Sequence, residues 1–379
     1  MRKAFKWIGV VLAVLVLALV LLIGNWYLRP NRAAVSGSLS MESWDVVNDG
    51  AHNSNTDLIY WDEAFYLVHA SSPFHFASEE SRLHILRSEN AKDWEEVAQF
   101  DATGEDIRDP KFAAIGDRLL LYALKNTDFT AEPYQTVYAE SKDGTLWSAF
   151  QEIEPRGWLF WRPKTTDGHT WYIPAYWHEH DKSALLRSTD GINWIFHAQI
   201  YEGDRNDETD IEFLSDGRML ATARLEISDS WVGHPEGSTL IAVAEPPFEV
   251  WTPITKSQVT RLDGPSLFKY NGVIYAVGRY QPHVSGPFGW QGSIFSRKRT
   301  ALFLVQEDGL VYLTDLPSAG DTSYSGVVQR GDELYVSYYT NEIDRDYPWI
   351  VGMVSPSSIR LARVDLPSLE ALGKLRSGD

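Results

Sequence analysis

The stretches "SKDGTLW" (141–147) and "STDGINW" (188–194) write Ser-x-Asp-Gly-x-x-Trp twice, 47 positions apart (188 − 141). "SENAKDW" (88–94) is a degenerate copy with Asn90 in place of Asp143 and Asp190, and "QEDGLVY" (306–312) keeps Asp308 and Gly309. Recurrence at one spacing marks a repeated structural unit. In each copy the Ser and Asp side chains can bond turn amides while the Trp buries against a sheet. These boxes are therefore structural turns between a third and a fourth strand, with no chemistry of their own.

Working outward, the boxes alternate with six two-strand units: "LIYWDEAFYLVHA", "KFAAIGDRLLLYAL", "PKTTDGHTWYIPAY", "IEFLSDGRMLATAR", "SLFKYNGVIYAVGR" and "VVQRGDELYVSYY". Each carries a tight-turn signal: Asp62, Asp117, Asp167-Gly168, Asp216-Gly217, Asn271-Gly272 and Asp332. The turns recur about every fifty residues, enough for a four-stranded blade with its loops. No long 3.6-residue period follows the N-terminal apolar run. The pattern predicts an all-β, six-bladed β-propeller over 44–379, preceded by a membrane anchor or signal peptide (1–30) and a linker (31–43).

The composition agrees. With 44% hydrophobic and 13% aromatic residues the chain is globular rather than disordered. A net charge of −18 argues against nucleic acid as a partner. The absence of cysteine excludes disulfides and thiolate-held metal. "WIGVVLAVLVLALVLLIG" (7–24) is long enough to span hydrocarbon, and Arg2, Lys3 and Lys6 before it place the N-terminus in the cytoplasm. No small-x-small cleavage site follows directly; "AVS" (34–36) is a late one. The expectation is a single-pass protein of a bacterial inner membrane, with the propeller in the periplasm or outside the cell.

The segments opening the six units are polar for strands entering a core. They supply His52, Asn53, Asn55 and Asp57; Asp106, Arg108 and Asp109; Arg162; Glu208, Asp210 and Glu212; Asp263; and Asp321, Ser323 and Tyr324. Two second strands end in Arg224 and Arg279. Charges at one edge of successive blades point to a shared polar site, since buried charges are rare unless paired or functional. Arginine forks suit a carboxylate. A carboxylate substrate would repel an Asp or Glu nucleophile; a tyrosine activated by a glutamate avoids that conflict.

Here the chain resembles the sialidase superfamily, propellers with Asp-box (BNR) repeats. "DETDIEFLSDGRMLATAR" is similar to the stretch supplying the glutamate and an arginine, "TSYSGVV" to the segment carrying the nucleophilic tyrosine, and "SRKRTALFLVQEDG" to the strand completing the arginine cluster. The resemblance implies Tyr324 as nucleophile, Glu208 as its base, and Arg224 and Arg299 (or Arg297) as carboxylate ligands. Asp57 is the positional candidate for the acid. Arg108, Asp109, Arg162, Arg279, His52 and Asp321 complete the expected binding set. The Arg-Ile-Pro motif opening the first sialidase blade is missing: that place reads "SNTDL", and Arg108 in "IRDP" sits one unit later. "HNxxTDL", "DxRDPK", "ETxxxFLxDGR" and "LPSxGDTSY" resemble a bacterial sialidase-like group without an established substrate.

The expected activity is a glycoside hydrolase acting on an acidic glycan. The alternatives are a non-catalytic carbohydrate-binding propeller, a structural propeller held at the membrane, a furanosidase-like site using Asp57, Asp109 and Glu208, or a lyase drawing on His52, His69 or His75. "GWLFW" (157–161) offers rings for stacking on sugars or for the blade core. "HEH" (178–180) is read as an exposed loop. Neither metal nor cofactor is expected.

Overall fold

A computed structural model describes residues 2–127, 130, 132–286 and 288–378. After the helix Arg2–Tyr27, the chain forms six four-stranded antiparallel sheets. Their first strands are His52–Trp61, Asp106–Ile115, Trp158–Phe160, Asn206–Phe213, Asp263–Tyr270 and Thr322–Arg330, in blades one to six. These strands surround the axis, and Gly326 of blade six shows how closely they approach. A Cβ there would stand 2.1 Å from Leu58 N and 2.6 Å from Asp57 C on blade one.

The sixth sheet is completed by the chain's own beginning. Met41–Val47 pairs with Ser358–Asp365 as the outermost strand, so both ends of the propeller lie in one blade. This strand begins inside the segment expected to be linker. Closure of this kind leaves a ring without an open seam between first and last blades. Six apolar clusters fill the wedges, each drawing mainly on neighbouring blades.

The repeated boxes occupy the turn between third and fourth strands. Asp143 Oδ1 accepts from Thr145 N and Leu146 N, both at 2.8 Å, and Ser141 Oγ accepts from Gly144 N at 2.9 Å. These amides hold the Asp143 carboxyl down at about 2. Three of the four boxes also meet an aromatic side chain of the preceding blade: Trp44 Nε1 donates to Ala91 O at 3.1 Å, and Tyr122 Oη to Gly191 O at 2.6 Å, while in the fourth Leu310 N donates to Ser257 Oγ at 3.1 Å. Gly144 lies against the Tyr66 ring where a Cβ would collide. The boxes at 88–94, 141–147 and 188–194 recur because the first three blades use the same latch against the blade before.

One expectation fails at the C-terminus. Leu366–Ser377 is a helix, capped by Asp365, which accepts from Ser368 N at 2.8 Å. It buries Leu366, Leu369 and Leu372 beneath blades five and six. Four leucines in twelve residues, three of them buried and Leu375 exposed, are too short a stripe to stand out as a period.

Gly326→Ala is expected to lower unfolding free energy by about 1–3 kcal/mol, because backbone cannot yield as a side chain does. Urea denaturation measures it; an unchanged midpoint would mean that the inner strands are not packed this closely.

Candidate active site

Five inner strands slip register against their second strands: between Ser54 and Asp57, Arg108 and Lys111, Asn206 and Thr209, Asp263 and Ser266, and Ser323 and Gly326. A bulge adds a residue to one strand and re-aims its side chain. Inside these slips lie Asn55, Asp109, Glu208, Gly264 and Tyr324. Asn55, Asp109 and Tyr324 are left-handed there, with φ of 47°, 49° and 47°. That conformation is unfavourable for residues with a Cβ and is held only where surroundings over-determine it.

Here the surroundings are hydrogen bonds between blades. Tyr324 Oη donates to Glu208 Oε1. Gly264 N donates to Glu208 Oε2 at 2.6 Å, and Arg224 Nη1 lies 3.0 Å from the same oxygen. Gly264 (φ 63°) also lets the phenol ring lie against the backbone, since a Cβ would sit 3.0 Å from it. Asn55 Nδ2 donates to Asp109 Oδ1. Tyr324 and Asp109 each retain 8% exposure and Arg224 9%, forming the edge of the cluster that meets solvent.

An alternating ion network surrounds the pair. Arg224 grips Asp207 with Nε and Nη2 at 2.7 and 2.5 Å. Arg261 joins Asp263 at 2.7 Å to Glu226 at 3.0 Å. Arg279 Nε bonds Asp263 at 2.9 Å, and its guanidinium lies 4.3 Å over the Trp349 ring and 5.3 Å from the Tyr324 ring. Arg279 Nη1 is buried without a hydrogen-bond partner. Burial pushes the Tyr324 phenol well above its ordinary range, and the Glu208 charge adds to it. Burial likewise pushes the Glu208 carboxyl up to about 7, against the pull of Arg224 and with repulsion from Asp207 and Asp263. Although burial opposes it, the Asp263 carboxyl is held well below its usual range by Arg261, Arg279 and Arg224.

No family model matches the sequence, and no curated protein matches it. Solved structures do. An endosialidase of phage phi92 superposes with a TM-score of 0.64 at 10% identity, over 87% of this chain and 70% of that one. A Trypanosoma rangeli sialidase in complex with sialic acid gives 0.61 at 12% identity, covering 90% of this chain and 61% of its own. The NanB sialidase of Streptococcus pneumoniae gives 0.58 at 11%, over 90% and 71%. The fold is a six-bladed propeller that superposes on those of sialidases. At these identities the likeness is one of backbone, and the chain spans 61% of the trypanosomal enzyme's length.

Against that framework the expected residues divide. Tyr324, Glu208, Arg224, Arg279 and Asp109 meet at the axis of the propeller. Arg108 borders them, bonded to Asp106 and, through Nη1 at 3.3 Å, to His75 O. Asp321 lies one step out: its Oδ1 accepts from Tyr339 Oη at 2.9 Å and Trp349 Nε1 at 2.6 Å, and its Oδ2 faces His75 at 2.7 Å and His52 at 3.3 Å. Asp57 is elsewhere. Its carboxylate accepts from Phe112 N at 2.7 Å and pairs with Arg162 Nη2 at 3.2 Å, while Arg162 also donates to Pro265 O and Ser325 O. The two form a buried tie between blades. Arg299 pairs with Asp346 at 2.6 Å, as Arg297 does at 3.0 Å; between them Lys298 turns inward, bonding Gln281 at 2.6 Å and lying 4.9 Å from the Trp349 ring.

Other expectations change. His180 is buried, with Nδ1 3.3 Å from Asp207 and 3.5 Å from Glu226, so "HEH" does not end in an exposed loop. A trio of His180, Asp207 and Glu226 resembles a ligand set, but Arg224 and Arg261 already neutralise its acids. Trp161 is core, donating to Pro265 O at 2.8 Å. His69 is buried and stacked on His84, its imidazole driven down to about 3 chiefly by burial. The sequence reading passed over Asp207, Glu226, Arg261, Lys298 and Trp349. Adjacency to Glu208 was the available signal for Asp207, and the place between Arg297 and Arg299 was the signal for Lys298; the others lie at loop and strand ends without a motif.

The raised Glu208 carboxyl has a consequence for stability. The folded chain holds this proton more tightly than the ordinary value of 4.5 implies, so its contribution is full below 4.5 and lost as pH rises through about 7. Glu208→Gln is expected to flatten the pH dependence of Tm across that window and to melt above wild type on its alkaline side. Parallel Tm curves for the two proteins would contradict it.

Proposed function

We propose that the protein is a retaining glycoside hydrolase for a sugar carrying a carboxylate, with Tyr324 as nucleophile. The observation that carries this reading is the Tyr324–Glu208 hydrogen bond at the axis, with Arg224 on the other carboxylate oxygen. A phenol held neutral by burial needs a base in contact, and Glu208 is that base. As Tyr324 Oη bonds the anomeric carbon, its proton passes to Glu208. The glycosidic C–O bond breaks, and Asp109 supplies the proton to the departing oxygen. Water then attacks the tyrosyl-glycoside from the same side, giving a proton to Asp109, while Tyr324 recovers its own from Glu208.

Asp109 takes the acid's place because its bulge carries it to the axis, whereas Asp57 is occupied with Phe112 N and Arg162. Arg279 is the leading ligand for the substrate carboxylate, since its buried Nη1 makes no hydrogen bond and approaches only Asp321 Oδ1, at 3.5 Å. Arg224 and Lys298 stand beside it. The specific sugar, and the anchoring of the chain to a membrane, belong to the same reading.

A second reading is a propeller that binds an acidic sugar without cleaving it. Its support is the engagement of Arg224 with Asp207 and of Arg279 with Asp263, which leaves fewer free donors for a substrate.

Turnover of aryl glycosides of acidic sugars decides between them. Tyr324→Phe and Glu208→Gln are each expected to lose about a hundredfold or more in kcat. With Glu208 required as a carboxylate, kcat/KM should fall as pH drops below about 7. Binding with no turnover by wild type supports the second reading; equal turnover by wild type and both variants removes the first.

A further inference from the structure

The chain leaving the N-terminal helix does not hang free of the propeller. Just past Tyr27, Arg29 O accepts from Asp346 N at 2.8 Å, and Asn31 N donates to Asp344 O at 3.2 Å. Asn31 Nδ2 donates to Ser318 O and Ile343 O at 3.0 and 2.6 Å, and Ala34 N to Asp315 Oδ2 at 2.7 Å. These partners lie on the face where the inner strands begin and the second strands end, the face that carries Tyr324, Arg224 and Arg279. The loop that receives Arg29 is the one that carries Trp349, whose ring packs on Arg279. Cleavage at "AVS" (34–36) would remove several of these bonds.

The same face carries exposed apolar side chains. Trp231 is 76% exposed and Phe288 64%, with Phe76, Val354 and Leu28 also open to solvent. Except for Leu28 they sit on loops joining second to third strands, and those loops are tied together. Ile294 N donates to Trp231 O at 3.0 Å, Ile350 N to Ile294 O at 2.8 Å, and His75 N to Met353 O at 2.8 Å. Aromatic rings placed this way suit the boundary between headgroups and acyl chains. A net charge of −18 offers no attraction to anionic lipid. Attachment must therefore come from the helix Phe5–Gly24, of mean hydropathy 3.0, and from this rim.

We propose that the site-bearing face docks on the lipid bilayer that holds the helix, so that the pocket takes its sugar from a membrane-embedded glycoconjugate. The substrate class rests on the hydrolase reading above; the docking does not.

The chain lacks cysteine, so a single introduced thiol can be labelled without background. In full-length protein in phosphatidylcholine nanodiscs, Trp231→Cys and Phe288→Cys carry a nitroxide on the docking face, and Leu146→Cys carries one on the opposite face. The labels at 231 and 288 are expected to favour collision with oxygen, and the label at 146 with a water-soluble nickel chelate. Equal nickel access at all three positions overturns the docking. In a second arm, Trp231→Ser combined with Phe288→Ser should lose about tenfold on an acidic glycolipid in phosphatidylcholine vesicles and less than about twofold on a soluble aryl glycoside. Equal loss on both substrates overturns the substrate class. If wild type cleaves neither, the hydrolase reading and the substrate class fall together, and the nitroxide result still decides the docking.

Discussion

The carboxylate of Glu208 joins three blades at one point. Its own strand belongs to blade four, the Gly264 amide to blade five and the Tyr324 phenol to blade six. A charge so buried survives only where donors replace its water. Tyr324, Gly264 and Arg224 do so, and burial still leaves the carboxyl reluctant to ionise. The charged network around it follows from that demand: Arg224 needs Asp207, Asp263 needs Arg261 and Arg279, and Glu226 completes the circuit.

Backbone geometry brings these groups together. Register slips in five inner strands turn one residue of each blade toward the axis, at the cost of left-handed conformations in Asn55, Asp109 and Tyr324. Two residues beyond Asn55 and Glu208, Asp57 and Asp210 perform matching work. Each accepts the amide of the next blade's inner strand at 2.7 Å, from Phe112 and Leu267. A bulge thus divides neighbouring residues between two tasks, one facing the axis and one tying the ring.

Much of this was legible beforehand. The boxes and hairpin turns announced six blades because every wedge repeats one packing problem, and the polar opening segments marked the site. Pattern singled out Tyr324, Glu208 and Arg224 among the polar residues at the blade edges, and the roles expected of them came from the resemblance to sialidases. Asp57 was misplaced because position in a unit does not reveal which side of a bulge a residue occupies. Even so, "TDL" at 56–58 and "TDI" at 209–211 are the same ring-tying element, and that repetition was the available hint. His180 looked like loop because its burial comes from Asp207 and Glu226, which are distant in the chain.

The amino-acid sequence by itself determined the apolar N-terminal run, the six-fold repetition of strand and turn, and the acidic, cysteine-free character of the chain. Those properties are local or compositional, and turn chemistry with alternating burial expresses them without reference to the rest of the fold. Tertiary structure alone decided which acid meets the phenol, which arginines face inward, and where the N-terminal helix leaves the ring. Each of those depends on register slips and ring closure, which bring together groups as distant as Thr56 and the Tyr324 carbonyl, 2.9 Å apart.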